Sequence, residues 1–281
     1  MRIWKKRTKP SQHAYAVVTG AGSGIGRSFA LELARRGGTV VCADINLSAA
    51  EQTVALLQTQ YQTDAFAVQC DVGCAEQVQT LAEQAEQLMG HPTTLLINNA
   101  GVGLGGKFDE LSLEDWQWCM QVNLWGVIHG CHYFVPKFKQ QGFGAIINVA
   151  SAAGFTAAPE MTAYNVTKSS VLSLSETLSA ELRNAHIRIN VLCPTLVPTN
   201  IMKNGRLPQH YSGLADHLLM NHAFINSEQV AIQTLDRLDA NKLYTIPQPD
   251  AKLFWWMKRA APSLYAKLLG MWYPFFQKYV K

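Results

Sequence analysis

Short apolar runs alternate along the chain with longer amphipathic stretches, the pattern of a parallel sheet covered by helices on both faces. The runs predict strands at 14–19, 39–43, 65–69, 94–97, 144–149, 187–192 and 243–246. Between them, Ile25, Phe29, Ala30 and Leu33, and again Val78, Leu81, Ala85 and Leu88, recur every three or four residues and predict helices with one apolar stripe each. The stretch 113–140 also has helical spacing, and 116–134 is apolar nearly all round. Irregular residues near 195–225, with Pro198, Gly205, Pro208 and Gly213, predict a loop over a site. The expected architecture is therefore α/β: a doubly wound parallel sheet of about seven strands in a single domain over 14–251.

Composition adds limits. With 281 residues, 48% of them hydrophobic, the chain fills one sizeable core. No apolar run approaches the roughly 18–20 residues of a membrane span, and the basic start, 1–13, lacks the apolar stretch of a signal peptide, so a cytoplasmic location is expected. The six cysteines are scattered, and Cys70 and Cys74 have no second pair to complete a zinc site, so free thiols and no metal are expected.

Charge is unevenly spread. Residues 1–13 hold five cations and 252–281 hold six, with no acid in either stretch, leaving a body in which 20 acids face 13 cations. A mildly acidic body with basic ends does not suit nucleic acid, whereas it does suit an anionic membrane surface.

The first strand runs into Thr19-Gly20-Ala21-Gly22-Ser23-Gly24-Ile25-Gly26 and then directly into a helix. Glycines at such a turn let backbone approach a pyrophosphate, whose charge is stabilised by free N–H groups at the helix start. An acid, Asp44, closes the second strand 18 residues beyond Gly26, where a carboxylate can accept hydrogen bonds from ribose hydroxyls. The plainer reading of Asp44 is a solvated strand-end acid. Tyr164 and Lys168 stand four apart in a helical pattern and leave one face together. On their own they are an ordinary surface pair, but an ammonium beside a phenol lowers the phenol pKa, as a general acid or base requires. Ser151, at a strand end, can reach a substrate oxygen beside them, and Asn123 is an amide in apolar surroundings that must find partners.

In this order, Thr19 to Gly26, Asn98-Asn99-Ala100-Gly101, Asn123, Ser151, Tyr164 with Lys168, and Pro194 resemble the classical short-chain dehydrogenase/reductase family over roughly 14–200. The resemblance implies a Rossmann-type fold and an NAD(P)-dependent alcohol dehydrogenase or ketone reductase, with Asn123, Ser151, Tyr164 and Lys168 as the catalytic set. It implies that Tyr164 exchanges a proton with the substrate oxygen, that Ser151 hydrogen-bonds that oxygen, that Lys168 also holds the nicotinamide ribose, and that Asn123 fixes a relay water. Cofactor contacts implied for this chain are Thr19, Gly20, Ser23, Gly24, Ile25, Gly26 and Asp44 at the first turn, Asp71 and Val72 at the adenine, and Asn99, Ala100 and Gly101. Tyr164, Lys168, Pro194, Val197 and Thr199 complete the cofactor set, and Asn98 would brace the sheet. The family commonly has Pro-Gly where this chain has Pro194-Thr195, a change expected to reshape the nicotinamide side of the pocket.

NAD is favoured over NADP, since Asp44 would repel a 2′-phosphate and Ser23 and Ile45 stand where a cation would be needed. An NADPH-dependent carbonyl or ketoacyl reductase is the near alternative, and a non-catalytic dinucleotide-binding sensor or scaffold the distant one. Phe155, Met161, Ile201, Met202, Leu207, Tyr211 and Leu214 point to an apolar, fairly large alcohol or carbonyl substrate. By analogy with the family, a homodimer or homotetramer is expected. The C-terminal segment 252–281 concentrates nine of the chain's 27 Phe, Trp and Tyr residues beside its six cations. Three readings stand open for it: packing on its own domain or a second subunit, peripheral contact with a membrane, or a lid over the substrate.

Overall fold

The computed structural model describes residues 9–199, 201, 205–207 and 225–280. Seven parallel strands form one sheet in the order β3-β2-β1-β4-β5-β6-β7. The strands are β1 (Tyr15–Thr19), β2 (Thr39–Asp44), β3 (Ala65–Gln69), β4 (Leu95–Asn98), β5 (Gly144–Val149), β6 (Ile187–Leu192) and β7 (Tyr244–Thr245). The helices, in chain order, are α1 (Gly24–Arg35), α2 (Leu47–Tyr61), α3 (Ala75–Met89), α4 (Leu113–Met120), α5 (Gly126–Gln141), α6 (Ala153–Thr156), α7 (Thr162–Glu181), α8 (Ser227–Asp239), α9 (Pro249–Ala260) and α10 (Pro262–Val280). The architecture is the expected Rossmann sheet, followed by a helical extension that carries the aromatic and basic residues.

Alternation along the strands divides the core. Val17, Leu96 and Ile146 face one side and pack with α3, α5 and α7, while Ala16, Val18, Ile97 and Ile147 face the other and pack with α1, α2 and α8. All seven predicted strands are present, although β7 is two residues long where 243–246 was expected. The α3 stripe ends differently from expectation: Leu88 is 40% exposed, and Met89 is buried instead. The helix expected over 113–140 is interrupted by a π-helical turn at Gln121–Trp125. The basic start is anchored from Pro10, since Ser11 is buried and its N–H and hydroxyl donate to the Asp239 carboxylate. Residues 1–8 and, of the predicted substrate loop, Met202, Tyr211 and Leu214 lie outside the described residues.

Beneath the site, the Asn98 amide donates to Asn148 Oδ1 at 2.9 Å and the Asn148 amide donates to Ser175 Oγ at 3.0 Å, so β4, β5 and α7 are joined by buried polar groups. Gly130 of α5 leaves the room this needs: a Cβ there would sit 2.1 Å from Asn98 Oδ1. Helix propensity alone favours alanine over glycine by about 1 kcal/mol, but overlap in a close-packed core opposes it. Gly130→Ala is therefore expected to lower stability by a net 1–3 kcal/mol or so, read as a lower urea midpoint with an unchanged slope.

Candidate active site

The strand order reverses between β1 and β4, and the loops leaving their carboxyl ends bound a crevice where α/β sheets of this type take ligands. Thr19 ties the two loops together. Its hydroxyl accepts from the N–H groups of Asn99 (3.0 Å) and Ala100 (3.1 Å), and the Asn99 amide donates to the Thr19 and Gly20 carbonyls. The close fit explains two glycines. Gly20 has φ +64°, and a Cβ on Gly26 would lie 2.1 Å from the Gly20 carbonyl oxygen. Helix α1 starts with Ser23 as a cap that makes no side-chain hydrogen bond, and its first turn has no acid, so its leading N–H groups and positive dipole end suit an anion. Thr199 closes over this point, its methyl 3.1 Å from where a Gly24 Cβ would be.

At the other end of the crevice, Asp44 accepts from Gly22 N–H (2.8 Å) and Asn46 N–H (3.0 Å), with Ile45 65% exposed beside it. Arg27 makes no ion pair with this carboxylate: its guanidinium donates to Thr53 Oγ1 and to the Gly22 carbonyl. The backbone N–H of Gly73 donates to the Asp71 carboxylate, and Val72 is buried with its carbonyl 2.9 Å from His129 Nδ1. Together these residues fit a dinucleotide: glycines at the close approach, an uncapped helix start for phosphates, and a carboxylate at the second strand end.

The remaining predicted residues converge at the ends of β5 and β6. Lys168 is 2% exposed, and its ammonium donates to the Val149 carbonyl at 3.0 Å and lies 5.7 Å from the centre of the Tyr164 ring. Ser151 Oγ accepts from Ala153 N–H (3.1 Å) and donates to the Pro194 carbonyl (3.3 Å), on a short link between β5 and α6. Asn123, wholly buried within the π-helical turn, accepts from Val102 N–H (2.8 Å) and donates to the Val102 carbonyl (2.9 Å). Its amide pins the turn after β4 close to α7, and a Cβ on Gly101 would come within 3.0 Å of Asn123 Oδ1 and 3.4 Å of Lys168 Nζ. Burial pushes the Tyr164 phenol up to about 12, and the hydrogen bond with Ser151 only partly opposes this. Burial moves the Lys168 amine the other way, down to about 8, so below that pH an ammonium stands beside the phenol.

Other contacts were not legible beforehand. Thr195, the departure from the family's glycine, is matched by two residues at the root of α9: its N–H donates to Gln248 Oε1 (3.1 Å) and its hydroxyl to Asp250 Oδ1 (3.3 Å). Gln248 is itself fully buried and also donates to the Leu196 carbonyl. Val197 points into the core. Phe155 is likewise buried, its ring edge-on to Trp255 at 4.8 Å, so it joins the extension to the site more than it lines an open pocket. Arg206 bridges the loop after β4, pairing with Asp115 (2.8 Å) and stacking 4.3 Å over Trp118.

Comparison with known proteins agrees with this geometry. Residues 14–209 match the short chain dehydrogenase family. A probable oxidoreductase of Mycobacterium tuberculosis, EphD, is 36% identical over 186 residues, covering 66% of this chain and 31% of that protein, so the chain spans about a third of its length. The crystal structure of a short chain dehydrogenase/reductase from Burkholderia phymatum in complex with NAD superimposes with a TM-score of 0.84 at 34% identity, covering 92% of this chain and 96% of that one. A short-chain dehydrogenase from Sphingobium yanoikuyae in complex with NADPH gives 0.76 at 25% identity, covering 90% and 94%. The glycine turn, the bridge at Thr19 and the cluster of Ser151, Tyr164 and Lys168 thus sit in a chain that belongs to the short chain dehydrogenase family.

Proposed function

We propose that this chain is an oxidoreductase interconverting a secondary alcohol and a ketone with NAD(H). The observation that carries this is the meeting of a buried Tyr164 and a buried Lys168, its ammonium 5.7 Å from the centre of the phenol ring, at the carboxyl edge that also holds Ser151, next to a glycine turn that fits a dinucleotide. The nicotinamide, when bound, supplies the hydride donor or acceptor. Tyr164 gives a proton to the substrate oxygen in reduction and takes it in oxidation, while Ser151 donates a hydrogen bond to that oxygen as charge develops. Lys168 presents its ammonium to the phenol and to the nicotinamide ribose, and Asn123, with its side-chain amide committed to Val102, holds the turn beside them.

Thr19, Gly20, Ser23, Gly24, Ile25, Gly26 and Thr199 cradle the pyrophosphate, Asp44 the adenosine ribose, and Asp71 and Val72 the adenine. Asn99, Ala100, Gly101 and Pro194, and Val197 through its backbone, line the nicotinamide half. NAD is the cofactor in this reading, because Asp44 stands at the ribose position and Arg27, the nearest candidate to offset it, is committed to Gly22 and Thr53. The Burkholderia relative bound to NAD supports this choice. The substrate is apolar and fairly large, since Leu104, Met161 and Leu207 lie on the loops flanking Tyr164. A homodimer or homotetramer built on residues 116–134 and on the helix after Tyr164 is the assembly in this reading, supported by Trp125 and Val166, 46% and 40% exposed on those stretches.

Three outcomes are expected. Tyr164→Phe removes the transferable proton and little surface, so kcat falls by about 10²–10⁴-fold with NADH affinity nearly unchanged by fluorescence titration; retention of a third of wild-type kcat would contradict the role. NAD should exceed NADP in kcat/KM by about tenfold or more, about 1.4 kcal/mol, and Asp44→Ser should narrow the gap. The third concerns pH. Lys168 has its pKa pushed from 10.5 down to about 8, so between these values the folded chain binds fewer protons there than the unfolded chain, and the stability contributed by this site rises with pH across that window. Below pH 8 the full cost of the buried ammonium applies, on the order of 3 kcal/mol. Lys168→Met should therefore be inactive yet gain melting temperature relative to wild type at pH 7, with that difference shrinking as pH rises from 8 towards 10.5. A difference independent of pH would show that the amine is not held charged against its burial.

A further inference from the structure

We infer that the helix pair α9 and α10 docks this protein on an anionic lipid surface, with its inner face fastened to the loops around the reacting residues. The inner face is well defined. Ala251, Trp255 and Tyr265 are buried. The Tyr265 hydroxyl donates to the Thr156 carbonyl at 2.8 Å, and the Tyr273 hydroxyl donates to the Glu160 carboxylate at 2.7 Å. With Trp255 against Phe155, these contacts fall on residues 155–160, the segment that joins Ser151 to Tyr164.

The outer face has the opposite character. Leu253, Trp256, Leu264, Met271, Trp272 and Phe275 are each 55–68% exposed. On α10, positions 264, 271 and 275 repeat at helical spacing, so the apolar groups form a stripe along it, with Trp272 at its border. Single exposed apolar residues are ordinary on a folded protein, but a stripe spread over two adjoining helices marks a contact surface.

Charge selects the occupant. Residues 252–281 have six cations and no acid. Lys252, Lys258 and Lys267 form no ion pair among the described residues, whereas Arg259 is committed to the Trp255 ring 4.0 Å away. A second copy meeting this face by two-fold symmetry would set lysine against lysine with no acid between them. An anionic bilayer meets both features: Trp rings settle at the boundary of lipid and water, and lysines reach the headgroups along their apolar stems. No helix among the described residues is long and apolar enough to cross a membrane, so α9 and α10 lie along the surface. Resting on the proposed reaction, the consequence is that a lipid-dissolved alcohol or ketone reaches the site from the membrane side of the molecule.

The test uses the full chain and sedimentation with vesicles of phosphatidylglycerol and phosphatidylcholine in equal parts, against vesicles of phosphatidylcholine alone. Wild type should pellet with the mixed vesicles and be released by high salt. Lys252→Glu with Lys267→Glu, and separately Trp256→Ser with Trp272→Ser, should each weaken the association by about tenfold or more, while keeping the wild-type melting curve and turnover of a short, water-soluble alcohol. Wild type remaining in the supernatant, equal pelleting with both vesicle types, or undiminished pelleting of either variant would overturn the inference. So would a wild-type oligomer, measured without lipid, that falls apart in the tryptophan variant, since a second copy would then be the occupant. Normal vesicle behaviour with no NAD-linked turnover from any of these proteins would leave docking standing and refute the proposed reaction instead.

Discussion

Apolar contact lets a helix slide on a sheet, and the reacting residues on α7 tolerate no such freedom. The directional link from Asn98 through Asn148 to Ser175 removes it. Ser175 lies seven residues beyond Lys168 and eleven beyond Tyr164, so all three share one face of α7, and fastening Ser175 to β5 sets where the phenol and the ammonium emerge. Unpaired, these amides would each cost free energy in the core. Asn98 Oδ1 is left without a partner among the described residues, but the N–H groups of both amides are paired and fix a register that dispersion forces alone leave loose.

The same helix carries the main electrostatic conflict of the fold. Both Tyr164 and Lys168 are held in a low-dielectric interior, so burial favours the neutral form of each and drives their proton affinities apart from their free values in opposite directions. The sequence shows their spacing and so the attraction between the two groups. It does not show the depth of burial, which depends on how Gly101, Asn123 and the end of β5 close around them.

That distinction runs through the molecule. The strands were legible because each is a short, continuous apolar run with polar or glycine-rich flanks, and the turn at Gly20–Gly26 because its glycines answer a steric demand visible in the spacing. The π-helical turn was hidden, since one extra residue per turn is lost within a stretch that is apolar on nearly every side. Arg27 could not be oriented beforehand, because its partners are a backbone carbonyl and Thr53, 26 residues away. Most distant of all are the contacts of Tyr265 and Tyr273, whose partners lie 109 and 113 residues earlier. Composition marked the extension as unusual, but only the folded chain shows which of its aromatic residues face inward.

The pairing of Thr195 with Gln248 and Asp250 couples the nicotinamide side to the helices at the end of the chain. A glycine after Pro194 would keep the N–H bond to Gln248 but would offer Asp250 no hydroxyl, so the threonine adds one contact between the nicotinamide side and the chain beyond the last strand. Here the two are joined. A chain without α9 would leave this hydroxyl and N–H beside the cofactor crevice without these partners. Residue 195 therefore ties the C-terminal helices to the catalytic frame through a side chain as well as through the backbone.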